Sequence, residues 1–121
     1  MLGSPARSEN WRPSSGTGEV IAYIDTDAIR RKGDEVRFWR QLRLPEPETL
    51  PNGARFDRAT ALFKANCRAM TFVSLRNRAH LGDRLLFDGK DDNHEIHTAE
   101  PGSNAEADLR AACFDDWKIG K

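Results

Sequence analysis

The sequence predicts an α+β domain in which a C-terminal helix lies on a meander of antiparallel strands. Three observations carry that expectation. Apolar and β-branched runs recur between residues 19 and 87, short turn signals separate them, and the best helix signature follows Pro101. Short sequential hairpins imply antiparallel pairing rather than βαβ crossovers. With 121 residues the chain matches one small domain and one modest core.

The first strand falls on Glu19–Asp25 (EVIAYID), an apolar, β-branched and aromatic run that begins after Gly16 and Gly18. Thr26–Arg31 supplies Asp and Thr side chains suited to capping a short helical turn, and Gly33 closes the connection. Asp34–Leu44 then reads as a long strand, with Val36, Phe38, Leu42 and Leu44 on one face. Arg37, Trp39, Gln41 and Arg43 occupy its other face, the alternation of a sheet with one side on the core.

Pro45, Pro47, Pro51 and Asn52–Gly53 predict a loop over residues 45–53, because proline removes ladder donors and Asn-Gly favours a turn. Phe56–Asn66 is read as a strand carrying Ala59, Ala61, Phe63, Ala65 and Cys67 on one face. A tight turn at Asn66–Cys67 leads into a strand over Arg68–His80. Leu81–Gly82–Asp83 forms the next hairpin and Arg84–Phe87 the next strand. Residues 88–100 are polar and acidic, with a short edge segment around His94–Thr98. Ser103 with Glu106 three positions later is a capping box, and the helix it opens has an inner stripe of Ala105, Leu109, Ala112 and Cys113. Small residues at Ala59, Ala61 and Ala65 leave room for that helix to approach the sheet.

Residues 1–10 are expected to be a flexible lead, residues 11–116 the single domain, and residues 117–121 a flexible tail. No run approaches the roughly 18 apolar residues of a membrane span. The opening MLGSPARSEN lacks the apolar core of a signal peptide. Export is therefore inferred from the cysteines. Two cysteines alone in an extracytoplasmic domain usually form one disulfide, with a pair of inert buried thiols as the alternative. Cys67 and Cys113 are too far apart in sequence for a short-spaced zinc or redox motif.

Function is less legible. The net charge is zero, yet residues 28–86 hold 13 Lys/Arg against 6 Asp/Glu, and residues 87–121 hold 4 against 9. The preferred reading is ordinary solvated strand faces; beside it, the acidic last third neutralises a basic sheet within the molecule, or Arg37, Arg40, Arg43, Arg55 and Arg58 interleave with Trp39 as a binding face for an anionic partner. Trp39 stands between a core position and a contact or homodimer anchor, whereas Trp11 is expected to plug one end of the core. Asp25 and Asp27 are read as turn caps rather than paired catalytic carboxylates. Asp91, Asp92, His94 and His97 have metal-compatible chemistry, but are read as a solvated acidic loop. No Gly-x-Ser-x-Gly elbow, phosphate loop or dinucleotide fingerprint follows a strand, so neither catalysis nor a cofactor is expected. Nucleic acid is not expected as a partner either, since no recognition motif is present.

An ordered set of segments resembles the bacterial surface-adhesin protein E-like family. It comprises WRP at Trp11, YIDTDAIRRKGDEVRFW from Tyr23 to Trp39, LPEPETLPNGARFDRATAL from Leu44 to Leu62, NCRAMTF around Cys67, and PGSNAEADLRAAC ending at Cys113. Before Pro101, DDNHEIHTAE departs from the more aromatic, proline-rich segment expected of the family. The resemblance implies a curved antiparallel sheet of about six strands, with the C-terminal helix on its concave face and a Cys67–Cys113 disulfide. It implies no catalytic residues. It also implies an exported bacterial domain, periplasmic or at the cell surface, that attaches to extracellular-matrix proteins; the arginine-bearing face adds acidic glycans, and envelope proteins complete the expected partners. A structural, envelope-accessory role with no host ligand is the rival reading.

Overall fold

A computed structural model describes residues 9–118. Strands β1 (Trp11–Thr17) and β2 (Val20–Asp25) form the first hairpin, and a 3₁₀ turn (Thr26–Ala28) leads to β3 (Arg30–Lys32). Four strands follow: β4 (Glu35–Thr49), β5 (Arg55–Asn66), β6 (Thr71–Leu81) and β7 (Arg84–Lys90). After the short β8 (His97–Thr98) comes the helix α1 (Asn104–Phe114). Six strands pair in the order β1-β2-β4-β5-β6-β7, while β3 adds to β4 and β8 to β6. Every pairing is antiparallel. The sheet curls into a half-barrel with α1 on its concave face.

The core lies between sheet and helix. Ile24, Val36, Phe38 and Ala65 face Leu109, Ala111 and Ala112, with Phe63 and Phe72 packed alongside. Phe38 and Phe63 have ring centroids 5.8 Å apart, and Phe63 meets Phe72 edge-on at 5.5 Å. Each buried large side chain of this kind contributes roughly 1.5–3 kcal/mol. Cys67 and Cys113 form a disulfide with their Cα atoms 5.6 Å apart, tying the C-terminal end of α1 to the β5–β6 connection.

The helix starts at its predicted cap, although the reciprocal bond of the box reaches Gly102 rather than Ser103. Ser103 Oγ accepts from the Glu106 backbone N–H at 3.1 Å, and Glu106 Oε1 accepts from the Gly102 N–H at 2.9 Å. Asp115 ends it in the left-handed conformation, its N–H turned back to Ala111 O. Asp25 accepts from the Asp27 N–H and so caps the 3₁₀ turn.

Four expectations need correction. The loop over residues 45–53 is largely strand: β4 runs to Thr49, and Pro51–Gly53 alone make the turn. Pro45 and Pro47 are tolerated because pairing with β5 is broken between Arg43 and Glu48, where no ladder donor is needed. Second, β1 is a genuine edge strand, with a bulge between Pro13 and Ser15 that its serines and glycine disguise in the sequence. Third, α1 packs chiefly against β1 and β4 rather than over Ala59 and Ala61. Fourth, the tryptophan that fills the core is Trp117, 4% exposed, so packed structure continues beyond residue 116. Trp11 is half-buried and lies on the other face of the sheet.

A cleft on the sheet face turned away from the helix

Alternation along β4 divides the predicted arginine cluster. Arg37, Trp39, Gln41 and Arg43 share the face turned away from α1, whereas Arg40 points to the helix. There Arg40 Nε donates to Asp108 Oδ2 at 2.7 Å, and Ser14 Oγ donates to Asp108 Oδ1 at 2.6 Å. Asp108 is 3% exposed, a buried carboxylate held by one guanidinium and one hydroxyl. Arg40 is thus a structural cation. Arg55 sits near the β4–β5 turn, with Nη2 directed at Pro47 O at 3.5 Å. Arg37 is exposed beside Glu35 at 3.5 Å.

What remains on the outer face gathers around a cleft of about 210 Å³. Its floor is Gln41 and Thr60, 6% and 5% exposed, directly paired in register and joined by Gln41 Nε2 donating to Thr60 Oγ1 at 3.2 Å. Arg43 secures that floor by donating from Nε to Gln41 Oε1 at 2.8 Å while its guanidinium lies 3.9 Å from the Tyr23 ring centroid. The walls include Trp11, Trp39, Arg58 and His80, with Gly82 and Asp83 of the β6–β7 turn at one end. Arg78 stacks on Trp39 at 4.5 Å and also donates to Asp88 Oδ1 at 3.1 Å.

The charged groups of this face fall into engaged and open sets. Asp88 accepts from Arg76 at 2.7 Å as well as from Arg78, and the Arg76 hydrogen bond above all holds its carboxyl down at a pKa of about 2. Asp25 receives the Asn10 and Asp27 backbone N–H groups, and Glu9 receives the Trp11 indole N–H at 3.3 Å. Arg58 differs: its half-buried side chain makes no hydrogen bond or ion pair with any described residue. His80 Nδ1 is buried and likewise has no partner among the described residues. A buried polar atom left so costs about 1–3 kcal/mol.

The acidic segment before α1 does not assemble a metal site among the described residues. Asp91 accepts from Asn77 and from the Asn93 N–H, while the His97 ring lies against Phe72 at 5.4 Å. Sequence reasoning missed Trp11, Thr60, Arg78 and His80 as members of one cleft, because their proximity depends on the register of four strands. The signal that did exist was the Trp39–Gln41–Arg43 alternation.

A family profile described as surface-adhesin protein E matches residues 11–114. The chain belongs to the surface-adhesin protein E family. Two solved structures of Haemophilus influenzae protein E share its fold. Crystal form II gives a TM-score of 0.60 at 13% identity, covering 90% of this chain and 98% of that one. Protein E from a non-typeable strain gives 0.61 at 15% identity, covering 93% and 81% respectively. No curated protein sequence matches this adhesin-family chain. Membership of a surface-adhesin family accords with the disulfide, which fits an oxidising, extracytoplasmic compartment. No described helix is long and apolar enough to cross a membrane.

Proposed function

We propose that this domain is an exported, non-enzymatic attachment module that binds protein or matrix partners through the sheet face turned away from α1 and the adjoining Pro45–Gly53 segment. The observation that supports this reading most is the placement of Trp39 and Arg58 at a cleft on the outer face, in a chain of an adhesin family. Half-exposed tryptophan and arginine are the side chains that most often anchor interfaces. The disulfide and the family together support an exported setting. Arg37, Arg43 and Arg55 lie around this region as a basic surround that would favour acidic glycans or anionic protein patches.

Surface plasmon resonance on immobilised laminin and heparin tests the reading. Saturable binding to at least one, weakened tenfold or more in a Trp39→Ala/Arg58→Gln variant of unchanged circular dichroism, is the expected result. Absence of saturable binding to both would overturn it and leave the envelope-accessory role.

A further inference from the structure

We propose that the cleft between Trp11, Trp39, Arg58 and His80 is a binding site for a single acidic sugar ring, a uronic-acid-type saccharide. The inference rests on the attachment reading for its choice of face, and goes beyond it in naming a ligand class. Size limits the occupant first. At about 210 Å³ the cleft is below the roughly 300–1,000 Å³ of drug-sized pockets, so it seats one ring at a time. The lining fixes its chemistry. Two indoles offer apolar surface for the C–H face of a sugar, while Thr60 and Gln41 on the floor offer hydroxyl and amide groups to sugar hydroxyls.

Open donors rather than net charge decide between a neutral and an acidic ring, since Glu9, Asp25 and Asp83 line the cleft beside Arg58 and Arg78. The Asp25 carboxylate already accepts two backbone N–H groups and Glu9 holds the Trp11 indole, whereas Asp83 is exposed to water at the rim. Arg78 is committed to Trp39 and Asp88. Arg58 is the guanidinium in the lining with no partner among the described residues, and a ligand carboxylate is the group that matches its paired donors. His80, with Nδ1 unpartnered among the described residues, adds a second polar group on the same wall.

The test is a titration of the intact chain, its disulfide formed, with sodium glucuronate, followed by ¹H–¹⁵N spectra of the three tryptophan indoles. Glucose and acetate are run in parallel at equal ionic strength. The Trp11 and Trp39 signals should shift saturably with an affinity of roughly millimolar order, as befits so small a ligand. The Trp117 signal, in the core, should stay fixed. Glucose should bind at least tenfold more weakly, and Arg58→Gln should lower glucuronate affinity by a similar factor without changing Tm. Glucose equalling glucuronate, acetate reproducing the shifts, an unaffected Arg58→Gln, or no saturable shift of Trp11 and Trp39 would each overturn the proposal. Matrix binding that survives such a failure would leave the attachment reading standing. Glucuronate binding without any attachment to laminin or heparin would do the reverse.

Discussion

Asp108 shows how one residue joins three parts of the molecule. It projects from α1, is 3% exposed, and takes Arg40 of β4 and Ser14 of β1 as partners. Removing one member of such a pair leaves a buried charge uncompensated, whereas removing both together is far less damaging. Arg40→Met should therefore lower unfolding free energy by about 2–4 kcal/mol, and Arg40→Met/Asp108→Leu should recover much of the loss. Urea denaturation of the two variants measures both effects. An unchanged midpoint for the single variant would contradict the assignment of Arg40 as structural. The sequence concealed this role because Arg40 interrupts an apolar face between Phe38 and Leu42, and charge alone groups it with Arg37 and Arg43. Trp11 and Trp117 were misassigned for a related reason. Burial of an indole depends on which elements close over it, and Trp117 gains Arg12 over its ring at 4.3 Å and Asp115 as acceptor at 2.6 Å only in the folded chain.

At the scale of elements, legibility followed local chemistry. The helix was readable because a capping box is a property of four neighbouring residues, and α1 begins one position after Ser103. Ser103→Ala removes the acceptor for the Glu106 N–H and should cost about 1 kcal/mol, seen as a fall in Tm. No fall would mean that the remaining first-turn contacts carry the helix start. The strands from β4 to β7 were largely readable from alternation, but their ends were not. Proline marks an end only where a ladder hydrogen bond is required, and the irregular stretch between Arg43 and Glu48 requires none. β1 escaped notice because WRPSSGT has little strand propensity; Ser14 and Thr17 hold it through Asp108 and Asn104 instead. The cleft escaped for the strongest version of the same reason, since no local pattern encodes which residues of β1, β4, β5 and β6 come face to face.

For the molecule as a whole, the disulfide is the largest single constraint. The bridge spans 46 residues and ties the C-terminal end of α1 to the sheet. On the chain-entropy model a loop of that length contributes roughly 4 kcal/mol, a large share of the about 5–15 kcal/mol typical of a domain. Cys67→Ala/Cys113→Ala, or reduction by dithiothreitol, should lower the urea midpoint by a corresponding amount. A midpoint unmoved by reduction would show that apolar contact alone seats the helix. The uneven charge of the sequence also resolves at this scale. Asp88 and Asp108, from the acidic last third, meet Arg76, Arg78 and Arg40 of the basic sheet, so part of the apparent basic surplus is satisfied internally.

The clasp between Ser14 and Asp108 bridges 94 positions, so a strand and a helix far apart along the chain seal one another. Made in order from its amino end, the chain would present β1 with that hydroxyl and carboxylate still apart, and this clasp could close only once α1 had formed. Such dependence on distant contacts slows folding.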